Sequence, residues 1–194
     1  GVRLVGSEMC IRDRLNIDNS FFYQHYKSIE TNGLIIKSNN SKGVMIKGYD
    51  EYDKNHYLFN SINMGALIQN PKSEILIGDS LANEMNLSVG DKVKIAIPKT
   101  DKTILGNIPR FKTLEVVGVF DLGLYEYDSN LIFLSSELVR KLLLYDEDIY
   151  NKIEFFTSSP NEIELFKNKV ELETSNLLLN FYSISWKDQN KTLI

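Results

Sequence analysis

The apolar and polar positions divide the chain into short strands and a few helices, with the clearest signal in its middle. Lys92, Lys94 and Ala96 alternate with Val93, Ile95 and Ile97, the period of two that buries one strand face and turns its lysines outward. Just upstream, Ile75-Leu76-Ile77 is a continuous apolar run of strand length. Asp79 or Ser80 can cap a helix over Leu81 to Met85, and Gly90 supplies the next turn. Phe111 to Phe120 reads as a long strand, apolar on both faces at Val116-Val117.

On the N-terminal side, Phe22, Tyr26 and Ile29 have i, i+4, i+7 spacing and predict a short helix within 15–29, which Asn32-Gly33 ends. Leu34-Ile35-Ile36 and Gly43 to Gly48 read as two strands joined by a turn over 38–42, and 57–68 is ambiguous. On the C-terminal side, Leu131 to Leu134 is a strand and Ser136 starts a helix bearing Leu138, Val139, Leu142 and Leu143. Ile153 to Phe156 is a strand. Ser159-Pro160 starts a helix carrying Ile163, Phe166 and Val170, and Leu177 to Ile184 is the last strand. The pattern is α+β, with an all-strand section inserted between mixed halves.

Gly1 to Arg14 stands apart. It has neither period, and it holds the single cysteine. Arg3 to Asp13 resembles the conceptual translation of a transposase sequencing adapter: AGATGTGTATAAGAGACAG read after GG in one frame gives the Glu-Met-Cys-Ile-Arg-Asp of Glu8 to Asp13. Residues 1–14 are therefore set aside from fold reasoning as an adapter artefact. Without Arg3, Arg12 and Arg14 against Glu8 and Asp13, the other 180 residues carry 19 basic and 24 acidic groups and no cysteine.

That acidic balance gives no reason to expect nucleic acid, which calls for a basic stripe. One cysteine excludes a disulfide framework and any cysteine-based zinc site, and two distant histidines argue against a metal centre. A cysteine-free body fits an extracytoplasmic address. No run of 18 apolar residues marks a membrane-spanning helix.

Candidate chemistry is sparse. Glu126 and Asp128, two apart at a strand end, would share a face and suggest acid/base work, although a solvated strand end is the plainer reading. His25 and His56 each stand alone, and no serine elbow, P-loop or dinucleotide glycine pattern occurs. The unusual feature is the excursion between Pro98 and Pro109, too long for a tight turn and apolar at Ile104, Leu105 and Ile108. Lys94 and Lys112 lie on the strands flanking it. An apolar finger above a basic platform is what a docking element needs, because the finger supplies affinity and the charges steer an acidic partner. A loop folded back on its own barrel is the alternative.

An ordered set of segments then resembles the lipoprotein-releasing ABC transporter permease family (LolC/LolE type, MacB-like). The set is Gly43 to Asp50, Ile75 to Gly78 with Leu81-Ala82, Val89 to Val93, Gly106 to Pro109, Val116 to Phe120 and Gly123 to Ser129, running in order from about Gly33 to Ile194. The resemblance implies a periplasmic domain held between transmembrane helices that lie outside this segment, in an inner-membrane permease. The implied fold is a mixed α/β porter-like part (15–72 and 130–194) with an inserted β-rich, sabre-like part (73–129) carrying a protruding hairpin.

It further implies no catalysis and no cofactor or metal in this domain, since a separate cytoplasmic ATPase subunit hydrolyses ATP. The partners implied are a periplasmic lipoprotein carrier, the lipoprotein substrate and a paired permease subunit. Carried over by position, the family's hook hairpin is 99–109. Its binding residues are Thr103, Ile104, Leu105, Gly106, Asn107, Ile108, Pro109 and Arg110, and its pad residues are Lys94 and Lys112. This chain departs from the pattern: Ile104 or Leu105 replaces a proline, and lysines stand where the family has arginines, losing the planar fork that grips carboxylates in pairs. Two other readings stay open: a different MacB-like exporter contacting an adaptor or substrate, and a small hydrolase using Glu126 and Asp128.

Overall fold

The structure is a computed structural model that describes residues 2–5, 24–98, 110–147, 149–156, 163–176 and 182–185. The chain forms two compact units, one of Ile29–Glu147 and one of Gly1–Ser28 with Asp148–Ile194. The first is thus inserted into the second, and the stretch 73–129 lies wholly inside it.

The inserted unit is built on a ring of strands. Strand β2 (Gln24–Lys37), whose residues from Ile29 onward belong here, pairs antiparallel with β3 (Asn40–Tyr49) across a turn in which Ser38 has φ 53°. Strand β3 runs parallel to β8 (Leu131–Ser135), and β8 antiparallel to β5 (Glu74–Gly78). Strand β5 is parallel to β7 (Arg110–Phe120), and β7 antiparallel to β6 (Lys92–Ile97). Strand β6 then returns to β2, pairing Leu34 with Ala96, so six strands close into a barrel. A short strand β4 (Ile62–Gly65) adds to β7 after a 3-10 turn at Tyr57–Ser61.

Closure follows from the burial pattern. Ile29, Ile35, Ile46, Ile75, Ile77, Val93, Ile95, Leu114, Val116 and Ile132 are all buried, each worth about 1.5–3 kcal/mol on leaving water. Helix α1 (Asp79–Met85) buries Leu81, Ala82 and Met85, and ends at the left-handed Asn86. Neither Asp79 nor Ser80 caps it. The cap is Gly78, whose missing side chain admits the carbonyl of Asp128. Helix α3 (Ser136–Leu143) buries Leu138, Val139 and Leu142, as its spacing predicts.

Two further expectations fail in this unit. Tyr125–Asn130 is a helix, α2, rather than a strand end. No break occurs at Asn32-Gly33, where β2 continues. Gly33 is needed because a Cβ would stand 2.5 Å from Ile46 Cδ1 and 2.7 Å from the Ala96 carbonyl oxygen.

In the other unit, strand β9 (Lys152–Phe156) pairs with residues 24–28 of β2 on one side and with β1 (Val2–Val5) on the other, and β1 pairs with β10 (Tyr182–Ser185), all antiparallel. The helix predicted within 15–29 is therefore strand from Gln24 onward, and 15–23 lie outside the described residues. Val2–Val5 takes a place in this sheet although 1–14 read as an adapter translation. Ladder bonds are made by the main chain and place few demands on side-chain identity. Helix α4 (Ile163–Asn176) buries Ile163, Phe166 and Val170 as predicted, and Phe166 meets Phe155 edge to face at 5.2 Å. Among the described residues no helix is long and apolar enough to cross a membrane.

Candidate docking site

The pairing of β6 with β7 positions the basic residues that the sequence singles out. Their register runs from Lys92 opposite Glu115 to Ile97 opposite Arg110, so residues 98–109 connect the ends of two adjacent antiparallel strands. Thr103, Ile104, Leu105, Gly106, Asn107, Ile108 and Pro109 lie outside the described residues. Arg110, Lys94 and Lys112 lie at the base of that connection.

Lys94 is opposite Thr113 and Lys112 is opposite Ile95. Because successive side chains alternate, the two lysines are one register step apart yet on opposite faces of the ladder. Lys94 is on the outer face, its Nζ 5.8 Å from the centroid of the exposed Phe111 ring. Lys112 is on the face that carries the buried Ile95 and Leu114 farther along, where Arg110 also points. The Arg110 Nη1 donates to the Lys141 carbonyl oxygen at 3.3 Å, a cation set against the C-terminal end of helix α3. The structure therefore groups Lys94 with Phe111, and Lys112 with Arg110.

The neighbouring acidic groups are held locally. Lys37 Nζ bonds Asp91 Oδ2 at 2.7 Å and the Asn86 carbonyl oxygen at 2.6 Å. That bond lowers the Asp91 pKa below its ordinary value, with help from the Ser88 N–H. Lys42 pairs with Glu84, which also accepts from the Tyr125 hydroxyl, and these bonds lower the Glu84 pKa.

The carboxylate pair read from sequence does not form. On helix α2, Glu126 is exposed while Asp128 is 3% exposed and turned inward, because residues two apart on a helix face roughly opposite ways. Asp128 accepts the N–H of Leu122 at 2.8 Å and of Leu124 at 3.1 Å, shaping the turn before its helix. Its carboxylate groups with those of Asp79 and Asp121, ligand atoms within 4.8 Å of one another. Asp121 binds the Gly123 N–H and Asp79 the Ser80 hydroxyl, so each carboxylate of the cluster has a local hydrogen-bond partner.

Both histidines make aromatic contacts. His56 is buried against Tyr49 and Tyr57, and its Nδ1 accepts the Leu58 N–H at 3.3 Å to start the 3-10 turn. His25 is half-buried, 6.2 Å from the Phe155 ring.

No protein-family model matches the chain. It is 28% identical over 116 residues to the lipoprotein-releasing system transmembrane protein LolC of Xylella fastidiosa, a match covering 58% of this chain and 28% of that protein. It is 33% identical over 76 residues to LolC of Neisseria meningitidis, covering 39% of this chain and 18% of the relative. The chain thus spans less than a third of the length of the curated relatives it matches. Among solved structures it resembles the extracellular domain of the ABC-type transporter YknZ from Gram-positive bacteria. The TM-score is 0.60 at 12% identity, covering 95% of this chain and all of that one. The periplasmic region of MacB from Actinobacillus actinomycetemcomitans gives a TM-score of 0.57 at 14% identity, covering 99% of this chain and 92% of that one. The fold is that of the extracytoplasmic domains of MacB-like permeases.

Proposed function

We propose that this chain is the periplasmic domain of an inner-membrane ABC transporter permease that releases lipoproteins and passes them to a periplasmic carrier. The observation that carries this reading is the place of 98–109: it joins two paired strands of the barrel, in a chain whose sequence relatives are LolC proteins and whose fold relatives are permease domains. A connection between neighbouring strands is where a protruding hairpin belongs, and the sequence of this one includes the apolar Ile104, Leu105 and Ile108. The work is mechanical, with ATP hydrolysed by a separate subunit. Membrane attachment comes from transmembrane helices outside this segment.

In this reading the carrier docks on Thr103 to Arg110 and on the basic residues at the base, with Lys94 and Lys112 serving its two sides. Titrating the chain with the cognate lipoprotein carrier tests it. Ile104→Asp with Leu105→Asp is expected to abolish binding, and unchanged affinity in that double variant would sink the hook assignment. The second reading, a MacB-like exporter that contacts an adaptor or substrate, is favoured by the fold relatives YknZ and MacB. An adaptor gene beside this one, in place of a carrier gene, would select it. The hydrolase reading loses its support, because Glu126 and Asp128 point apart.

A further inference from the structure

The outer face of the barrel carries a row that no single strand reveals. Gly43 of β3 is opposite Leu34 of β2, Leu34 is opposite Ala96 of β6, and Ala96 is opposite Phe111 of β7. Residues directly opposed in a ladder share a face, so these four lie side by side across four strands, over about 14 Å at the usual strand spacing. Leu34 is 44% and Phe111 52% exposed, while Ala96 between them is 2% exposed. Two large apolar side chains thus stand proud of a floor made by Ala96 and Gly43.

The glycine is the informative member. A Cβ added at Gly43 would meet nothing within 4 Å, and its backbone is not in the left-handed region. Neither packing nor dihedral angle requires glycine there, and glycine weakens a strand interior. Its effect is to leave the main chain of β3 bare beside Leu34, which suits close approach by another molecule.

Charge completes the description. In the adjacent register position of the same face, Ile36 is opposite Lys94 and Lys94 opposite Thr113. Lys94 leans toward Phe111, the arrangement in which a ring holds an ammonium by its quadrupole. Lys92 is opposed by Glu115, but Lys94 by a neutral threonine. The row therefore carries net positive charge at its Phe111 end, in a chain that is acidic overall.

We infer that the Gly43–Leu34–Ala96–Phe111 row, with Lys94, is a docking surface for a partner protein that lays an apolar ridge flanked by carboxylates across it. Leu34 and Phe111 are about half exposed on a sheet face, which fits contact with a protein surface more than enclosure of a small molecule. This inference rests on the carrier reading above and deepens it. The same partner that engages 103–110 in that reading also rests on this face of the sheet, reaching as far as β3.

Calorimetric titration of the 194-residue chain with the cognate lipoprotein carrier tests it in four forms: unchanged, Gly43→Glu, Leu34→Ser with Phe111→Ser, and Ile104→Asp with Leu105→Asp. Gly43→Glu enters open space, so its melting temperature stays within a few degrees of the unchanged chain, while carrier affinity falls tenfold or more. The serine double variant weakens binding to a similar extent. If both row variants bind like the unchanged chain while the 104/105 variant does not, the row is overturned and the carrier reading stands. An unchanged chain that fails to bind the carrier overturns both. Dimers of the chain alone that Gly43→Glu dissociates would make a second copy the occupant, which also overturns the inference.

Discussion

Glu30 and Lys47 face each other across β2 and β3 as a buried ion pair, Nζ to Oε1 3.3 Å, with side chains 8% and 4% exposed. Lys47 also lies over the Tyr49 ring at 5.3 Å. Removing one partner leaves a charge out of water without its counter-charge, whereas removing both does not. Lys47→Met is expected to cost about 3–5 kcal/mol in chemical denaturation. Glu30→Leu with Lys47→Met should recover most of that loss. A double variant no more stable than the single one would show that the pair is not the unit that matters.

Ser135 ties helix α3 to a distant loop. Its hydroxyl accepts the Leu138 N–H at 3.1 Å and donates to the Pro71 carbonyl oxygen at 2.5 Å. Ser135→Ala removes the N-terminal cap and a long-range bond together, an expected loss of about 1–2 kcal/mol. Ser135→Thr should restore part of it, and a thermal melt distinguishes the two.

Two glycines are expected to respond oppositely to the same added methyl group. At Gly78 a Cβ would sit 2.1 Å from the Asp128 carbonyl oxygen, a backbone atom that cannot swing aside. Gly78→Ala should therefore cost several kcal/mol, at the upper end of the roughly 1–3 kcal/mol of overpacking. Gly43→Ala, with open space around it, is expected to be neutral or to stabilise by about 0.4–1 kcal/mol through the unfolded chain. Equal effects at the two positions would contradict the packing described.

Asp128 gives the fold a pH-dependent element. Burial raises its pKa, the Leu122 and Leu124 N–H bonds pull it down, and the charges of Asp121 and Asp79 push it up again, leaving it above the ordinary aspartate value. The folded state then holds a proton at pH values where the unfolded chain has already released it. Its contribution is fully present below the ordinary aspartate range and is lost as pH rises through the elevated pKa. Carboxyl-carbon NMR should find the Asp128 midpoint above that of an ordinary aspartate, and Asp79→Asn should move it down. A midpoint at or below the ordinary value would mean that the two N–H bonds outweigh burial.

The sequence is most readable where one strand or helix carries its own pattern. The alternation of β6, the apolar run of β5 and the spacing of Leu138, Val139 and Leu142 each report burial decided inside the element. The misreadings arise where a distant partner decides. Tyr26 and Ile29 match a helical spacing, yet pairing with β9 and β3 draws their segment into a strand. Asn32-Gly33 looks like a turn, but Gly33 is small because Ile46 and Ala96 crowd it. Lys94 and Lys112 were legible as flanking residues. Their separation onto two faces needs the register of β6 against β7. The proposed docking row joins residues from distant parts of the chain, Leu34 and Gly43 to Ala96 and Phe111. No local periodicity could have gathered them.

Closure of the barrel also has a mechanical meaning. Strand β6 is bonded to β2 on one side and β7 on the other, and β7 is bonded to β6 and β5. On the proposed reading, a partner pulling on the connection between β6 and β7 would load these strands along their own length, across the direction of the ladder bonds. Such a load falls on many bonds at once instead of opening them singly, as it would at a free edge. A closed ring of paired strands is in this sense better suited than an open sheet to share such a load.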